Sequence, residues 1–74
     1  DKYEGGQRMK RWTATDGNYT YTIEEKDDGK FDLMVDHLGD KVFWLFPSYN
    51  SARNFLRNEY AFNGRMKQVK EVVE

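Results

Sequence analysis

The sequence predicts a small α+β domain, in which an antiparallel β-meander of about four strands carries one α-helix on one face. Between Tyr19 and Phe46, apolar and polar residues alternate with a period of two over three successive segments, which is typical of half-buried β-strands. After Pro47 the apolar residues recur every three or four positions, which is the spacing of an amphipathic helix. This change of period predicts a sheet followed by a helix that packs on it.

The first residues of the chain are expected to lie outside this fold. Residues 1–9 are polar, contain two adjacent glycines and show no periodicity, so we expect a flexible N-terminal segment. Residues 10–74 are expected to form a single domain. The chain of 74 residues has no cysteine to form a disulfide, so its twelve aromatic residues are expected to supply the core.

The register between the second and third strands can be predicted from the apolar pattern. A three-residue loop that ends with Gly29 in the left-handed conformation pairs Ile23 with Leu33, whereas a two-residue turn pairs Ile23 with Met34. A slip of one residue exchanges the two faces of a strand. The first register is therefore expected, because it gathers the apolar residues on one face.

Two further hairpins complete the predicted meander, whose first strand spans about residues 8–15. The expected pairs are Ala14 with Tyr19 across a turn at Asp16-Gly17, and Val35 with Trp44 across a turn that begins at Gly39. All these registers direct one set of side chains towards the helix. The expected core is Trp12, Tyr19, Tyr21, Ile23, Phe31, Leu33, Val35, Val42, Trp44, Phe46, Ala52, Phe55, Leu56 and Tyr60.

The helix is expected to begin after Ser48, whose side chain is a suitable N-cap, with Asn50 and Ser51 as alternative caps. It is expected to continue to about Ala61 and to end at Asn63-Gly64, since both residues tolerate the left-handed conformation. The segment 65–74 fits either a strand that returns along the sheet or a short helix, and we prefer the strand.

The distribution of charge limits the classes of function. The net charge is −1, but residues 16–40 carry eight acidic and two basic groups, while the flanking segments are basic. A generic nucleic-acid-binding protein is expected to carry a basic surface instead. No apolar run approaches the roughly 18 residues of a membrane span. We expect a cytoplasmic protein that does not insert into membranes.

The sequence contains no recognisable catalytic set. It lacks cysteine, and His37 is its only histidine, expected at a strand end with solvent or a backbone group as its partner. Asp27-Asp28-Gly29 lacks the further ligands of a calcium loop and is interpreted as a turn. We therefore expect no enzymatic activity, no catalytic residue, no metal and no cofactor.

The predicted face of the sheet opposite the helix is a candidate protein-binding surface. Exposed apolar side chains beside acidic ones are typical of a surface that contacts another protein. An alternative is that apolar residues of the tail cover this face, and a homodimer interface is a further possibility. The candidate binding residues are Glu24, Asp32, Met34, Asp36, Phe43 and Leu45, and the candidate cover consists of Met66, Val69, Val72 and Val73.

Basic residues give an alternative hypothesis, a nucleic-acid-binding module. Arg53 and Arg57 lie one turn apart on the predicted helix, and arginine contacts both phosphates and base edges. The structural alternative is a solvated helix face. The full set of candidate nucleic-acid-binding residues is Lys10, Arg11, Arg53, Arg57, Arg65 and Lys67.

The pattern Phe46-x-Ser48-x-x-x-Ala52 after a series of strands resembles the strand-to-helix junction of the arm-type DNA-binding domains of phage integrases. The resemblance implies a three-stranded sheet that precedes a helix and contacts DNA with its exposed face. In this sequence that face carries acidic residues, which phosphates would repel. The compact sheet and helix are also similar in size to small phage- or plasmid-encoded inhibitors. We therefore expect a non-catalytic protein-binding domain, an inhibitor or regulator that occupies the surface of a partner protein.

Overall fold

A computed structural model describes residues 10–69 of the chain. It contains one antiparallel sheet with the strand order β4-β3-β2-β1-β5 and one helix, α1, which contacts β2, β3 and β4. The predicted α+β fold is confirmed, while the predicted flexible segment 1–9 lies outside the described residues. The elements are β1 Arg11–Asp16, β2 Tyr19–Glu25, β3 Phe31–His37, β4 Asp40–Phe46, α1 Tyr49–Tyr60 and β5 Lys67–Val69.

The β2–β3 hairpin has the predicted register, with Ile23 opposite Leu33. The Gly29 N–H donates to the Lys26 carbonyl at 3.1 Å, and the Lys26 N–H donates to the Lys30 carbonyl at 2.7 Å. Gly29 has a φ of 87°, the left-handed conformation that a three-residue hairpin loop requires at this position. The apolar pattern and the glycine therefore select the same register.

The other two hairpins turn at different residues from those predicted. The first turn is at Gly17-Asn18, so Ala14 lies opposite Tyr21 rather than Tyr19. The glycine in the first position, with a φ of 63°, fits a type II′ turn. This register differs from the predicted one by two residues. Because side chains alternate with a period of two, the inward-facing set of β1 is unchanged.

The β3–β4 turn consists of Leu38 and Gly39, which both have positive φ values, 54° and 96°, as a type I′ turn requires. The Gly39 N–H donates to the Asp36 carboxylate at 2.9 Å, which supports the turn. Val35 consequently pairs with Val42, not with Trp44 as predicted. Glycine was predicted in the first turn position, but Leu38 occupies it although leucine rarely adopts a positive φ.

The core lies between the sheet and α1, and most of its predicted members are buried or half-buried. Val42 is an exception, with 46% of its surface exposed, because it belongs to the edge strand. Phe62 and Met66, which follow the helix, are buried although they were not predicted to be. The buried residues are Tyr21, Ile23, Leu33, Val35, Ala52, Leu56, Phe62 and Met66. Burial raises the pKa of the Tyr21 hydroxyl, with smaller contributions from Asp16 and neighbouring tyrosines.

The helix begins as predicted and extends, as predicted, to about Ala61, but a different residue terminates it. Ser48 is the N-cap, since its hydroxyl accepts a hydrogen bond from the Ser51 N–H at 3.1 Å, and the Ser51 hydroxyl accepts from the Ser48 N–H in return. The last turn closes at Ala61, which has a φ of 54°, and the Phe62 N–H donates to the Leu56 carbonyl at 3.1 Å. The residue that ends the helix in the left-handed conformation is thus Ala61, and not Asn63 or Gly64 as predicted. The earlier reversal directs Phe62 back into the core.

Candidate functional site

The outer face, defined as the sheet surface opposite α1, is the candidate site. Among residues 10–69, no helix or strand packs on it. The strand registers arrange its side chains in three rows that cross the sheet. The rows are Val69, Arg11, Glu24, Asp32 and Leu45; Lys67, Thr13, Thr22, Met34 and Phe43; and Thr15, Thr20, Asp36 and Lys41.

The apolar part of the outer face lies on β3 and β4. Phe43 is directly opposite Met34, and Leu45 lies one row away opposite Asp32. Phe43 and Leu45 keep 58% and 57% of their surface exposed, which is unusual for large apolar side chains in neighbouring positions of one strand. Phe43 and Leu45 are exposed beside the half-buried Met34, and these three residues form the apolar cluster of the outer face.

The candidate cover for this cluster is only partly located. Met66 does not cover it, because its side chain is buried in the core on the helix side of the sheet. Val69 reaches the outer face, but from β5 at the far edge of the sheet. Val72 and Val73 lie outside the described residues. Within residues 10–69, the cluster therefore remains open to solvent.

Two acidic residues of the outer face, Glu24 and Asp32, have cationic partners. Glu24 and Asp32 are directly opposite each other, an arrangement that by itself destabilises a sheet. The Arg11 Nη2 lies 3.1 Å from the Glu24 Oε2, and the Lys26 Nζ lies 3.9 Å from the Asp32 Oδ2. The acidic pair is thus flanked by one cation on each side, and this part of the face presents both signs of charge.

A shallow depression crosses the middle of the outer face between the charged pairs and the apolar cluster. Thr13 and Thr22 line it next to Met34 in the same row. Its open shape and mixed polar and apolar lining suit a polypeptide surface better than a single small molecule, since small-molecule sites are deep and largely apolar. The depression is lined by Arg11, Thr13, Thr22, Glu24, Asp32, Met34, Phe43 and Val69.

Arg11 and Val69 line the depression but were not assigned to the protein-binding site from the sequence. Arg11 was assigned to the nucleic-acid hypothesis, and Val69 to the cover. The pairing of β5 with β1 brings both into the row that contains Glu24. The alternation of Lys67, Gln68 and Val69 was the available signal, but it does not define which strand β5 pairs with.

The basic residues of the nucleic-acid hypothesis are not brought together. Arg53 is half-buried: its Nη1 donates to the Tyr49 hydroxyl at 3.1 Å, and its Nη2 donates to the Gly64 carbonyl. Its guanidinium also lies 5.9 Å from the ring centres of Tyr49 and Phe62. Arg53 therefore holds the segment after the helix against α1.

The other members of that set lie on different parts of the molecule. Arg57 is exposed on α1, where its Nη1 donates to the Asn54 side chain at 3.0 Å. Arg11 is in the ion pair with Glu24, and Lys67 is on the outer face. Lys10 precedes β1, and Arg65 is exposed between α1 and β5. These positions do not form a single basic surface.

We predict different roles for the two arginines of α1. Arg53→Met is expected to lower the free energy of unfolding by about 1.5–3 kcal/mol, because it removes hydrogen bonds made by a partly buried charged group. Arg57→Met, the matched control on the exposed face, is expected to change it by less than about 0.5 kcal/mol. Denaturant unfolding of both variants measures the difference. Equal losses would contradict the structural role of Arg53.

The surroundings of His37 and the grouping of possible metal ligands can be described for residues 10–69. The His37 ring stacks on Tyr19 with 4.2 Å between ring centres, so it packs against a side chain rather than facing only solvent. Within residues 10–69, no three histidine, aspartate or glutamate side chains are grouped as metal ligands would be. The part of the chain in the structure also contains no helix long and apolar enough to cross a membrane.

The chain was compared with known protein families, with curated proteins and with solved structures, and none of the three comparisons gives a match. The fold and the outer face are therefore the basis for a functional proposal.

Proposed function

We propose that this chain is a small non-catalytic protein-binding domain, which occupies the surface of a partner protein in the cytoplasm and so acts as an inhibitor or regulator. The observation that supports the proposal is the outer face, where Met34, Phe43 and Leu45 form an apolar cluster that no described element covers. Exposed clusters of this kind bind other proteins because association removes their apolar surface from water.

The arrangement of charge indicates the chemistry of the partner. The apolar cluster is bordered by Asp32 on one side, while the ion pair of Arg11 and Glu24 lies farther along the same row. Protein interfaces commonly have an apolar centre and a polar rim. A complementary partner would place an apolar side chain on the cluster and a basic one beside Asp32, whose existing cation, Lys26, is 3.9 Å away.

The alternative, a nucleic-acid-binding module, has less support. Arg53 is engaged in tertiary contacts, and the resemblance to integrase arm-binding domains would require DNA to approach a face that carries Glu24 and Asp32. Four strands, rather than three, also precede the helix. A gel shift at low salt tests this alternative, because phosphate contacts strengthen as the salt concentration falls.

The proposal predicts that a large charged side chain in the middle of the depression abolishes partner binding. Thr22→Arg introduces such a side chain between Thr13 and Met34. Thr15→Arg is the matched control, since Thr15 is exposed at the end of β1 and does not line the depression. Affinity capture from the native host, with nuclease added, is expected to recover a protein with the unmodified chain and with Thr15→Arg.

With Thr22→Arg the recovery of that protein is expected to fall at least about tenfold, which corresponds to about 1.4 kcal/mol of binding free energy. Both variants should unfold cooperatively with similar stability. Equal capture by the two variants would show that the partner binds elsewhere. Loss of the captured material on nuclease treatment would favour the nucleic-acid alternative instead.

A further inference from the structure

The edge strand β4 presents an unpaired row of backbone groups. In its hairpin with β3, the residues that flank the two-residue turn, His37 and Asp40, form a hydrogen-bonded pair, and hydrogen-bonded pairs then alternate along the ladder. The N–H and C=O groups of Lys41, Phe43 and Leu45 therefore point away from β3. No strand within residues 10–69 pairs with them.

This edge has few of the features that usually prevent strands from pairing between molecules. β4 pairs with β3 over seven residues without a bulge, and its proline, Pro47, follows the strand rather than interrupting it. Its charged residues are confined to the first two positions, Asp40 and Lys41. Within residues 10–69, the opposite edge strand β5 presents Lys67, Gln68 and Val69.

Exposed apolar side chains occur on both faces of β4. Phe43 and Leu45 lie on the outer face, while Val42 lies on the helix side, where α1 does not cover it. An added strand would bury these side chains on both faces. It would also give hydrogen-bonding partners to the unpaired backbone groups of β4. Such strand addition is an established mode of recognition at sheet edges.

We propose that β4 pairs in antiparallel fashion with β4 of a second copy of this chain, about a two-fold axis at Phe43. In this register Phe43 lies opposite Phe43 of the partner subunit, and Lys41 lies opposite Leu45 of the partner subunit. Every outward N–H and C=O of these residues then has a hydrogen-bonding partner. The two five-stranded sheets become one continuous sheet.

The sequence of β4 favours a second copy because this register is self-complementary. A two-fold axis moved to Lys41 or Leu45 would leave some of the outward groups unpaired. Centred on Phe43, the axis also places Val42 beside Trp44 of the partner subunit on the helix side of the sheet. On the outer face it joins the two clusters of Met34 and Phe43 into one apolar surface.

The charges are compatible with this dimer. Lys41 falls in the same row as Leu45 and Asp32 of the partner subunit, with roughly 10 Å between the Cα atoms of the two charged residues across two strand spacings. The two-fold axis repeats this attraction of opposite charges. Each copy carries a net charge of only −1, so the repulsion between copies is small. The pairing involves only a short segment of each copy, so we expect a small interface and a dimer that is reversible and depends on concentration.

The experiment is sedimentation of the full chain between about 10 µM and 1 mM, an interval that covers the affinities of weak interfaces. The chain is expected to change from monomer to dimer over this range. Phe43→Pro removes an outward N–H without removing a bond to β3, and it is expected to stay monomeric. Leu38→Lys is the control: it removes a side chain that is 74% exposed in the adjacent turn, outside the paired segment, and should leave dimerisation unchanged.

A second measurement does not depend on the proline variant being folded. Amide hydrogen exchange of Phe43 and Leu45 in the unmodified chain is expected to slow at least about fivefold between the two ends of the concentration range, since dimerisation protects these groups. The amides of Val42 and Trp44, which already bond to β3, should not change in this way. A chain that stays monomeric at 1 mM, or protection that does not depend on concentration, would overturn the proposal.

This inference does not rest on the proposed function, and the two can fail separately. Thr22→Arg lies on β2, two strands from β4, so it should abolish capture of a host protein and leave dimerisation intact. Dimerisation lost in Thr22→Arg but kept in Phe43→Pro would show that the outer face, not the edge of β4, joins the two copies.

Discussion

Leu33→Ala is expected to lower the free energy of unfolding by about 2–5 kcal/mol. Leu33 has no exposed surface, and it lies between Ile23 and Trp44 in the middle of the sheet, on the side that faces α1. Truncation removes its apolar contacts and leaves a cavity. The neighbouring strands cannot close this cavity without breaking the hydrogen bonds between them. A domain of this size has a total stability of roughly 4–11 kcal/mol, so the loss is a large part of the whole.

Leu45→Ala is the matched control, because the same atoms are removed from the neighbouring strand. Leu45 lies on the outer face, and its truncation is expected to cost less than about 1 kcal/mol. Denaturant unfolding gives both values, provided that the dependence on denaturant concentration is similar for the two variants. If Leu33→Ala does not fold, Ile23→Val serves instead, with an expected loss of about 0.5–1.5 kcal/mol at a fully buried position. Equal losses at Leu33 and Leu45 would mean that the two faces of the sheet are assigned incorrectly.

The assignment of faces could be predicted from the sequence although two of the three turns could not. The prediction for the first hairpin placed Arg11 opposite Thr22, whereas the structure places it opposite Glu24. A shift of two residues keeps every side chain on its face, so the apolar pattern predicts the faces more reliably than the pairs. The ion pair of Arg11 and Glu24 requires that these two residues lie opposite each other, and it was therefore not predicted.

The positions of the turns depend on details that a residue pattern does not contain. A glycine at the first turn position was expected after β3, but Leu38 occupies it with a positive φ. The Asp36 carboxylate accepts a hydrogen bond from the Gly39 N–H and so stabilises the turn of Leu38 and Gly39. The same carboxylate was predicted to belong to the binding surface, which illustrates how one acidic residue fits both a turn and an interface.

The extent of the core also could not be predicted from alternation alone. Val42 has the correct parity for the core, but β4 is the edge strand and the helix lies over the middle of the sheet. Parity defines which face a side chain is on, whereas burial requires a second element above it. Parity also places Met34, Phe43 and Leu45 on the outer face. It does not show whether another segment covers them there.

Phe62→Ala is expected to lower the free energy of unfolding by about 3–5 kcal/mol, a loss comparable to that of Leu33→Ala. Only 7% of Phe62 is exposed. Its ring centre lies 4.7 Å from that of Tyr21, and the Arg53 guanidinium lies 5.9 Å away. A Cβ atom at Gly64 would come within 2.9 Å of the ring, so the chain after the helix is closely packed around it.

Phe62→Ala should also weaken the attachment of β5 to β1, in addition to creating a cavity. Phe62 and Met66 are the buried residues between α1 and β5, and they hold β5 against β1 at the edge of the sheet. Phe62→Ala is therefore expected to speed amide exchange in Gln68 and Val69 more than in β2 and β3, because the less stable part of a domain opens first. Faster exchange confined to β5 would show that Phe62 attaches this strand, whereas equal acceleration in all strands would indicate a uniform loss of stability.

Phe43→Ala is the matched control for Phe62→Ala, since it removes an equally large ring from the exposed outer face. Measured below about 10 µM, where a weak dimer is dissociated, it is expected to cost less than about 1 kcal/mol. If Phe62→Ala does not fold, Phe62→Leu keeps part of the apolar volume and should still accelerate exchange in β5. A cost for Phe62→Ala no larger than that for Phe43→Ala would mean that the helix does not end at Ala61. The chain would then run on towards Asn63-Gly64, and the strand that follows would need another way to reach β1.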